Sequence, residues 1–168
     1  YTATNQVTFH NRFFPAMLKT KELLENDFLG TPISFRFTYY HSGSLDPHKP
    51  LGWKQQKGAG LLLDLGSHAI DLLFWFLGRL EKVVGCSRIL YPCRPDRNGQ
   101  KVSVEVEDYA LMLARLKNGA TGSIEVSKVA AGSEDDLGYE LYGTGGAIRY
   151  RSMEPNFLQV FDARTGEG

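Results

Sequence analysis

Between residues 33 and 40 apolar and polar side chains alternate without a break, Ile33, Phe35, Phe37 and Tyr39 against Ser34, Arg36, Thr38 and Tyr40. A period of two belongs to a strand with one face buried. The stretch before it has another period. Met17, Leu18, Leu24 and Phe28 recur at helical spacing, and Lys19, Lys21, Glu22 and Glu25 supply a wet side. Pro15 stands where a first helical position tolerates it and Gly30 closes the segment, so a helix of roughly four turns is expected between them. Residues 4–9 have a strand-like pattern.

A loop rich in Gly, Pro and His runs from Ser42 to Gly58 and leads into a long apolar segment that predicts a buried helix up to Gly78. After it the pattern returns to strands, over residues 82–90, 104–116, 120–129, 139–142, 147–150 and 157–161. Asn118-Gly119 marks a tight hairpin in which both positions are expected to take positive φ. Gly143-Thr144-Gly145-Gly146 lies between two strands and opens no helix, so it reads as a turn rather than a phosphate loop. Hairpin-connected strands with two helices predict an α+β fold, a large and mostly antiparallel open-faced sheet with helices packed on one face.

Composition fits one folded domain over residues 1–168. Aromatics at 12% and apolar residues at 42% exclude a disordered segment. Lys plus Arg equals Asp plus Glu at 19 each and no run of like charges exceeds a few residues, so neither nucleic acid nor an anionic membrane is expected as a partner. The stretch from Leu61 to Leu77 is interrupted by Asp64, His68 and Asp71, which a lone membrane span tolerates badly. Cys86 and Cys93 stand in no metal or redox spacing, and a cytoplasmic location is expected. The chain starts at Tyr1 without a methionine and stops at Gly168, so both ends read as excisions from something longer.

The chemistry is concentrated in Gly58-Ala59-Gly60-Leu61-Leu62-Leu63-Asp64-Leu65-Gly66-Ser67-His68-Ala69-Ile70-Asp71. At ~100° per residue Asp64, Ser67, His68 and Asp71 share one stripe of an otherwise apolar helix. A stripe of this kind must be hydrogen-bonded internally or face a cleft. Asp64 and His68 lie one turn apart, where the carboxylate can fix the imidazole tautomer and the imidazole can exchange a proton with a substrate hydroxyl. A satisfied core histidine explains the spacing equally well. An Asp64/His68/Asp71 face can also supply metal ligands, with His10, His41 or His48 completing a shell, although no short spacing ties these together.

The same segment resembles the GG-x-x-x-D-x-G-x-H-x-x-D signature of the Gfo/Idh/MocA oxidoreductases, the glucose–fructose oxidoreductase and inositol dehydrogenase group. Phe9-His10-Asn11-Arg12-Phe13-Phe14-Pro15-Ala16 is similar to the family's N-x-R-F-x-P-A segment, and Leu29-Gly30-Thr31-Pro32-Ile33 to its L-G-x-I turn. Trp53-Lys54 stands where W-R is usual, and Val106-Glu107-Asp108 and Leu141-Tyr142-Gly143-Thr144-Gly145-Gly146 match later strands. Ala59 replaces one glycine of the usual pair, and Lys54 keeps the charge of arginine without its planar fork.

The resemblance implies the substrate-binding and oligomer-forming domain of a two-domain enzyme whose amino-terminal Rossmann domain is absent from this chain. Such an enzyme moves hydride between NAD or NADP and a sugar, inositol or related polyol. By match, Asp64 and His68 are the catalytic pair, working with a lysine of the missing domain. Arg12, Trp53, Lys54 and Asp71 are candidates for the substrate or cofactor cleft. Without a pyrophosphate site this chain alone is expected to be inactive. A homo-oligomer is expected through the open sheet face that carries Ser123, Glu125 and Ser127. Two other functions stay open at this point, a catalytically silent binding or scaffolding relative and a metal-dependent hydrolase or isomerase.

Overall fold

The alternating segment forms strand β1 (Pro32–Tyr40), and its faces diverge as the pattern requires. Phe35, Phe37 and Tyr39 are buried, while Arg36 is exposed and Ile33 stays open at the strand's end. The structure, a computed structural model, describes Ala3, Thr4 and residues 6–168. Around β1 a seven-stranded sheet is built in the order β2-β5-β6-β1-β7-β8-β9. Its other strands are β2 (Leu80–Arg88), β5 (Tyr109–Leu116), β6 (Thr121–Ser127), β7 (Asp136–Gly143), β8 (Gly146–Arg151) and β9 (Leu158–Asp162). A separate hairpin joins β3 (Cys93–Pro95) to β4 (Lys101–Ser103).

All neighbouring strands run antiparallel except β1 and β6, which are parallel from Ser34 opposite Thr121 to Tyr40 opposite Ser127. Two helices cover one face: α1 (Pro15–Glu25), and a wide π turn at Leu62–Gly66 that runs directly into α2 (Ser67–Leu77). Met17, Leu72, Leu73 and Phe76 from the helices join Phe35, Phe37, Ile124 and Leu141 of the sheet in one core. Phe37 and Tyr139 stack at 5.7 Å and Phe76 meets the Tyr139 ring at 5.2 Å. The α+β class with a mostly antiparallel, open-faced sheet is therefore present.

Several boundaries differ for local reasons. The described residues between 4 and 9 form no strand, and Asn5 lies outside the described residues. Helix α1 is a turn shorter than expected because Asp27 takes a left-handed φ of 54° and bends the chain before Gly30 is reached. Its buried stripe runs through Met17 and Thr20, while Leu18 is 49% exposed. Thr20 can be buried because its hydroxyl shares a 2.6 Å hydrogen bond with the Tyr139 hydroxyl. The expected strand over 104–116 begins only at Tyr109, and residues 101–103 pair instead with β3.

The β5–β6 turn contains Asn118-Gly119, but only Gly119 has positive φ, at 93°. Gly119 N–H donates to the Leu116 carbonyl and Leu116 N–H to the Ala120 carbonyl. Asn118 instead accepts the Ala120 N–H on its side-chain oxygen. This is a three-residue connection rather than a two-residue one. Between the parallel strands, Gly122 leaves no room for a side chain, since a Cβ there would lie 2.0 Å from the Phe35 carbonyl oxygen.

The two-sided helix gives a stability test. Leu72 is fully buried and Leu63, less than three turns earlier, is 65% exposed. Leu72→Ala is expected to cost about 2–5 kcal/mol in urea unfolding and Leu63→Ala less than about 0.5 kcal/mol. Equal losses would mean that the buried face is wrongly placed.

Candidate functional site

Because β1 and β6 are parallel, both chains leave the sheet at the same end. His41 N–H donates to the Ser127 carbonyl and Ser44 N–H to the Lys128 carbonyl, so the segments that follow the two strands stay side by side. The π turn and the first residues of α2 lie against this end, and so does the approach to β7. Between them is a cavity of about 530 Å³ lined by Tyr39, His41, Lys54, Asp64, His68 and Lys128, with Lys49, Glu134 and Asp135 on its wall.

The backbone before the helix is arranged to bring Asp64 here. Gly60 has a φ of 105°, a conformation that favours glycine, whereas Ala59 does not have positive φ and so accepts a methyl group. The helix's amino end is closed from outside, since Leu62 N–H donates to a carboxylate oxygen of Glu107 at 2.8 Å. The π turn at 62–66 widens the first turn around Asp64, a distortion common where helices carry function.

Asp64 does not hydrogen-bond His68, the contact that the one-turn spacing predicts. Its carboxylate faces two ammonium groups, Lys54 Nζ at 2.9 and 3.1 Å and Lys128 Nζ at 2.7 Å. Burial by itself would raise its pKa, but the hydrogen bonds from Lys128 and Lys54 prevail and hold the carboxyl below the usual range. Lys128 is the better shielded of the two, with 12% of its side chain exposed against 45% for Lys54. It is therefore the stronger partner.

His68 lies among rings. Phe9 meets it edge-on at 5.6 Å, His10 at 5.3 Å and Tyr39 at 6.2 Å. Its Nδ1 is buried and has no hydrogen-bond partner among the described residues. Burial, reinforced by His10, pushes the imidazole pKa down against the opposing carboxylates Asp64, Asp71 and Asp135. Tyr39 keeps its proton, because burial and the carboxylates of Asp135 and Asp64 push its phenol well up. Beside His41, Lys49, Glu134 and Asp135, the cavity thus brings together the neutral imidazole of His68, the Asp64 carboxylate with its two ammonium partners, and the phenol of Tyr39.

The other predicted residues lie elsewhere. Arg12 donates to both oxygens of Asp71, at 2.7 and 2.5 Å, and lies 5.5 Å from the Trp75 ring centre. This pair ties the segment before α1 to α2 and does not line the cavity. Trp53 is 71% exposed, with Lys54 Nζ 5.6 Å from its ring. Among the described residues no group of three or more His, Cys, Asp and Glu side chains is arranged to hold a metal. Lys128, Asp135 and the placement of His41 were missed in the sequence. The only signal was a lysine ending a strand whose preceding residues alternate cleanly.

A second concavity of about 600 Å³ lies on the open face of the sheet. Several of its charges have partners: Tyr40 donates to Glu125 at 2.8 Å, Arg36 lies 3.7 Å from Glu140, and Arg151 pairs with Asp136. No imidazole lines it, which leaves the cavity around His68 as the site able to exchange a proton near neutral pH.

The family model described as GFO/IDH/MocA C-terminal domain matches residues 17–149. The chain belongs to this family. It is 32% identical over 93% of its length to levoglucosan dehydrogenase of Pseudarthrobacter phenanthrenivorans and 30% identical over 95% to myo-inositol 2-dehydrogenase of Thermotoga maritima. It covers 44% and 45% of those two proteins, so this GFO/IDH/MocA domain spans less than half the length of the curated relatives it matches. A levoglucosan dehydrogenase structure, in complex with NADH and levoglucosan, superposes with a TM-score of 0.90 at 34% identity over 95% of this chain and 43% of that one. Among the described residues no helix is long and apolar enough to cross a membrane.

The environment of His68 fixes the sign of a titration. Both His68 and Asp64 titrate lower in the folded than in the unfolded chain, so the unfolded state binds more protons. Their contributions to stability are present above the ordinary values of 6.5 and 3.8 and are lost as pH falls, first that of His68 and then that of Asp64. The His68 ring resonances are expected to titrate below 6.5 in NMR. A midpoint at or above that value would show that the ring is solvated or paired with a carboxylate.

Proposed function

We propose that this domain is the substrate-side half of an NAD(P)-dependent dehydrogenase acting on a sugar, inositol or related polyol, and that its cavity receives the carbinol. The observation that supports this best is that the imidazole of His68 opens onto a cavity of about 530 Å³, ample for a sugar, beside the Asp64 carboxylate that Lys54 and Lys128 hold. As the hydroxyl of the carbinol loses its proton, His68 accepts it, and in the reductive direction it returns it. The carboxylate of Asp64, fixed by Lys54 and Lys128, acts as a hydroxyl acceptor and as a counter-charge to the imidazolium that forms. The two ammonium groups donate to the remaining oxygens, and the phenol oxygen of Tyr39, whose proton faces Asp135, accepts from a hydroxyl.

The cofactor would take the hydride from the carbinol carbon. This chain's cavity fits the reacting end of such a pair, but its glycine-rich loop at residues 143–146 joins β7 to β8 and offers no helix terminus to a pyrophosphate. That contact belongs to the nucleotide-binding domain implied by the family resemblance, together with the choice between NAD and NADP. The domain by itself is inactive in this reading. The enzyme is cytoplasmic and assembles as a homo-oligomer through the open sheet face around Ser123 and Glu125, without Ser127, which is buried and accepts the Val129 N–H.

In the full-length protein, His68→Ala is expected to lower kcat by roughly 10²-fold or more while the Kd for the nicotinamide cofactor is unchanged. Retained turnover with a lower Tm would make His68 a packing residue and the reading wrong. For assembly, sedimentation of the full-length protein is expected to show a dimer or tetramer that Glu125→Arg weakens, because the new cation faces Arg36 and Arg151 on the same surface. A strict monomer would remove the open face as an interface.

A further inference from the structure

Arg94 heads the fully buried large side chains of this fold, at 2% exposure, and among the described residues it has no carboxylate partner. Its guanidinium donates to the Asp46 carbonyl at 2.6 Å and to the Ser44 carbonyl, lies 5.0 Å from the centre of the Tyr91 ring, and leaves Nε unpaired. Burying a cation without an acid is expensive, and an apolar side chain of similar volume would fill the space at lower cost. What the arginine adds is a planar fork that spans two carbonyls two residues apart.

Those carbonyls belong to the segment after β1 that carries His41, Gly43, Ser44 and Lys49, one wall of the cavity. The wall contains no strand or α-helix of its own. It is gripped from the β3–β4 side at two further points, where the Tyr91 hydroxyl donates to the Leu45 carbonyl at 3.0 Å and Leu51 N–H donates to the Pro95 carbonyl at 2.8 Å. The grip itself is stiff. The β3–β4 turn is closed by Asp96, whose side chain accepts the N–H groups of Asn98 and Gln100 at 2.8 Å each. Val104 N–H then returns to the Pro92 carbonyl.

We propose that the β3–β4 hairpin is a strap that holds the cavity wall at residues 42–51, and that Arg94 is the positioning residue through which it acts, setting how closely the wall meets the sugar. Arg94 touches neither the substrate nor the reacting atoms. This rests on the reading of the cavity as the sugar site, but its physical core, the ordering of the wall, can be measured without turnover.

The test uses the full-length protein with Arg94→Met, which keeps an unbranched side chain and removes the fork, and Arg94→Lys, which restores a cation able to reach one carbonyl. Arg94→Met is expected to raise KM for the sugar about tenfold, with kcat within about twofold and the cofactor Kd unchanged, the pattern of lost uniform binding. Arg94→Lys should recover part of the loss. Hydrogen exchange should accelerate in residues 42–51 while residues 35–39 and 69–77 keep their protection. Unchanged exchange in 42–51, or exchange that rises equally in all three segments, overturns the strap, because Arg94 is then idle or merely part of the core. Should Arg94→Met not fold, Tyr91→Phe removes only the hydroxyl that reaches Leu45. It should raise KM about threefold and loosen the same segment, and no change in either sinks the proposal. If His68→Ala leaves turnover intact, the sugar reading fails, while the exchange data still decide whether the strap exists.

Discussion

The carboxylate of Asp64, held between two ammonium groups, is the interaction on which the site depends. A half-buried carboxylate with one partner would leave an oxygen poorly solvated, and with none burial would raise its pKa. Lys54 comes from the loop after β1, Lys128 from the end of β6 and Asp64 from the π turn, so the three charges add a side-chain link between pieces of chain that the backbone already brings together. Losing Lys128 would leave the Asp64 carboxylate with Lys54, the more exposed of its two partners, alone.

The sheet explains why these pieces converge. In a purely antiparallel arrangement the ends of neighbouring strands alternate, and consecutive hairpins send their loops to opposite edges. One parallel pair in the middle places two outgoing loops at one edge, where α2 supplies the third wall. The other face of the same sheet carries charged pairs, Arg36 with Glu140 and Arg151 with Asp136. One layer of strands therefore has a face covered by helices, with the His68 cavity at its end, and a face left open.

Much of this was legible in the sequence. The alternation at 33–40 gave β1 and its buried face, and the run of few polar residues in an apolar helix singled out Asp64 and His68. Spacing alone did not show how Asp64 is used. Two residues one turn apart can touch, but a stronger partner from a distant strand takes precedence, and Lys128 is 64 positions away. Arg12 and Asp71 were both noticed, yet their pairing with each other was not, because a bidentate bridge between two segments leaves no periodic trace. Arg94 was invisible for a related reason. In a loop sequence an arginine reads as solvated, and only tertiary packing reveals that it is enclosed. The β3–β4 hairpin escaped because three-residue strands carry too little pattern to separate from turns.

The parallel pairing of β1 with β6 has a consequence for how the molecule reaches its native state. The partner residues are separated by about half the chain, so their union requires closing a long loop before any of its contacts is gained. Local hairpins such as β5–β6 and β7–β8 can form early, but the pocket does not exist until the two halves are joined at the centre. Its assembly reports the joining of the two halves, and a nascent chain that has not yet delivered β6 has the helix with its imidazole but no cavity beside it.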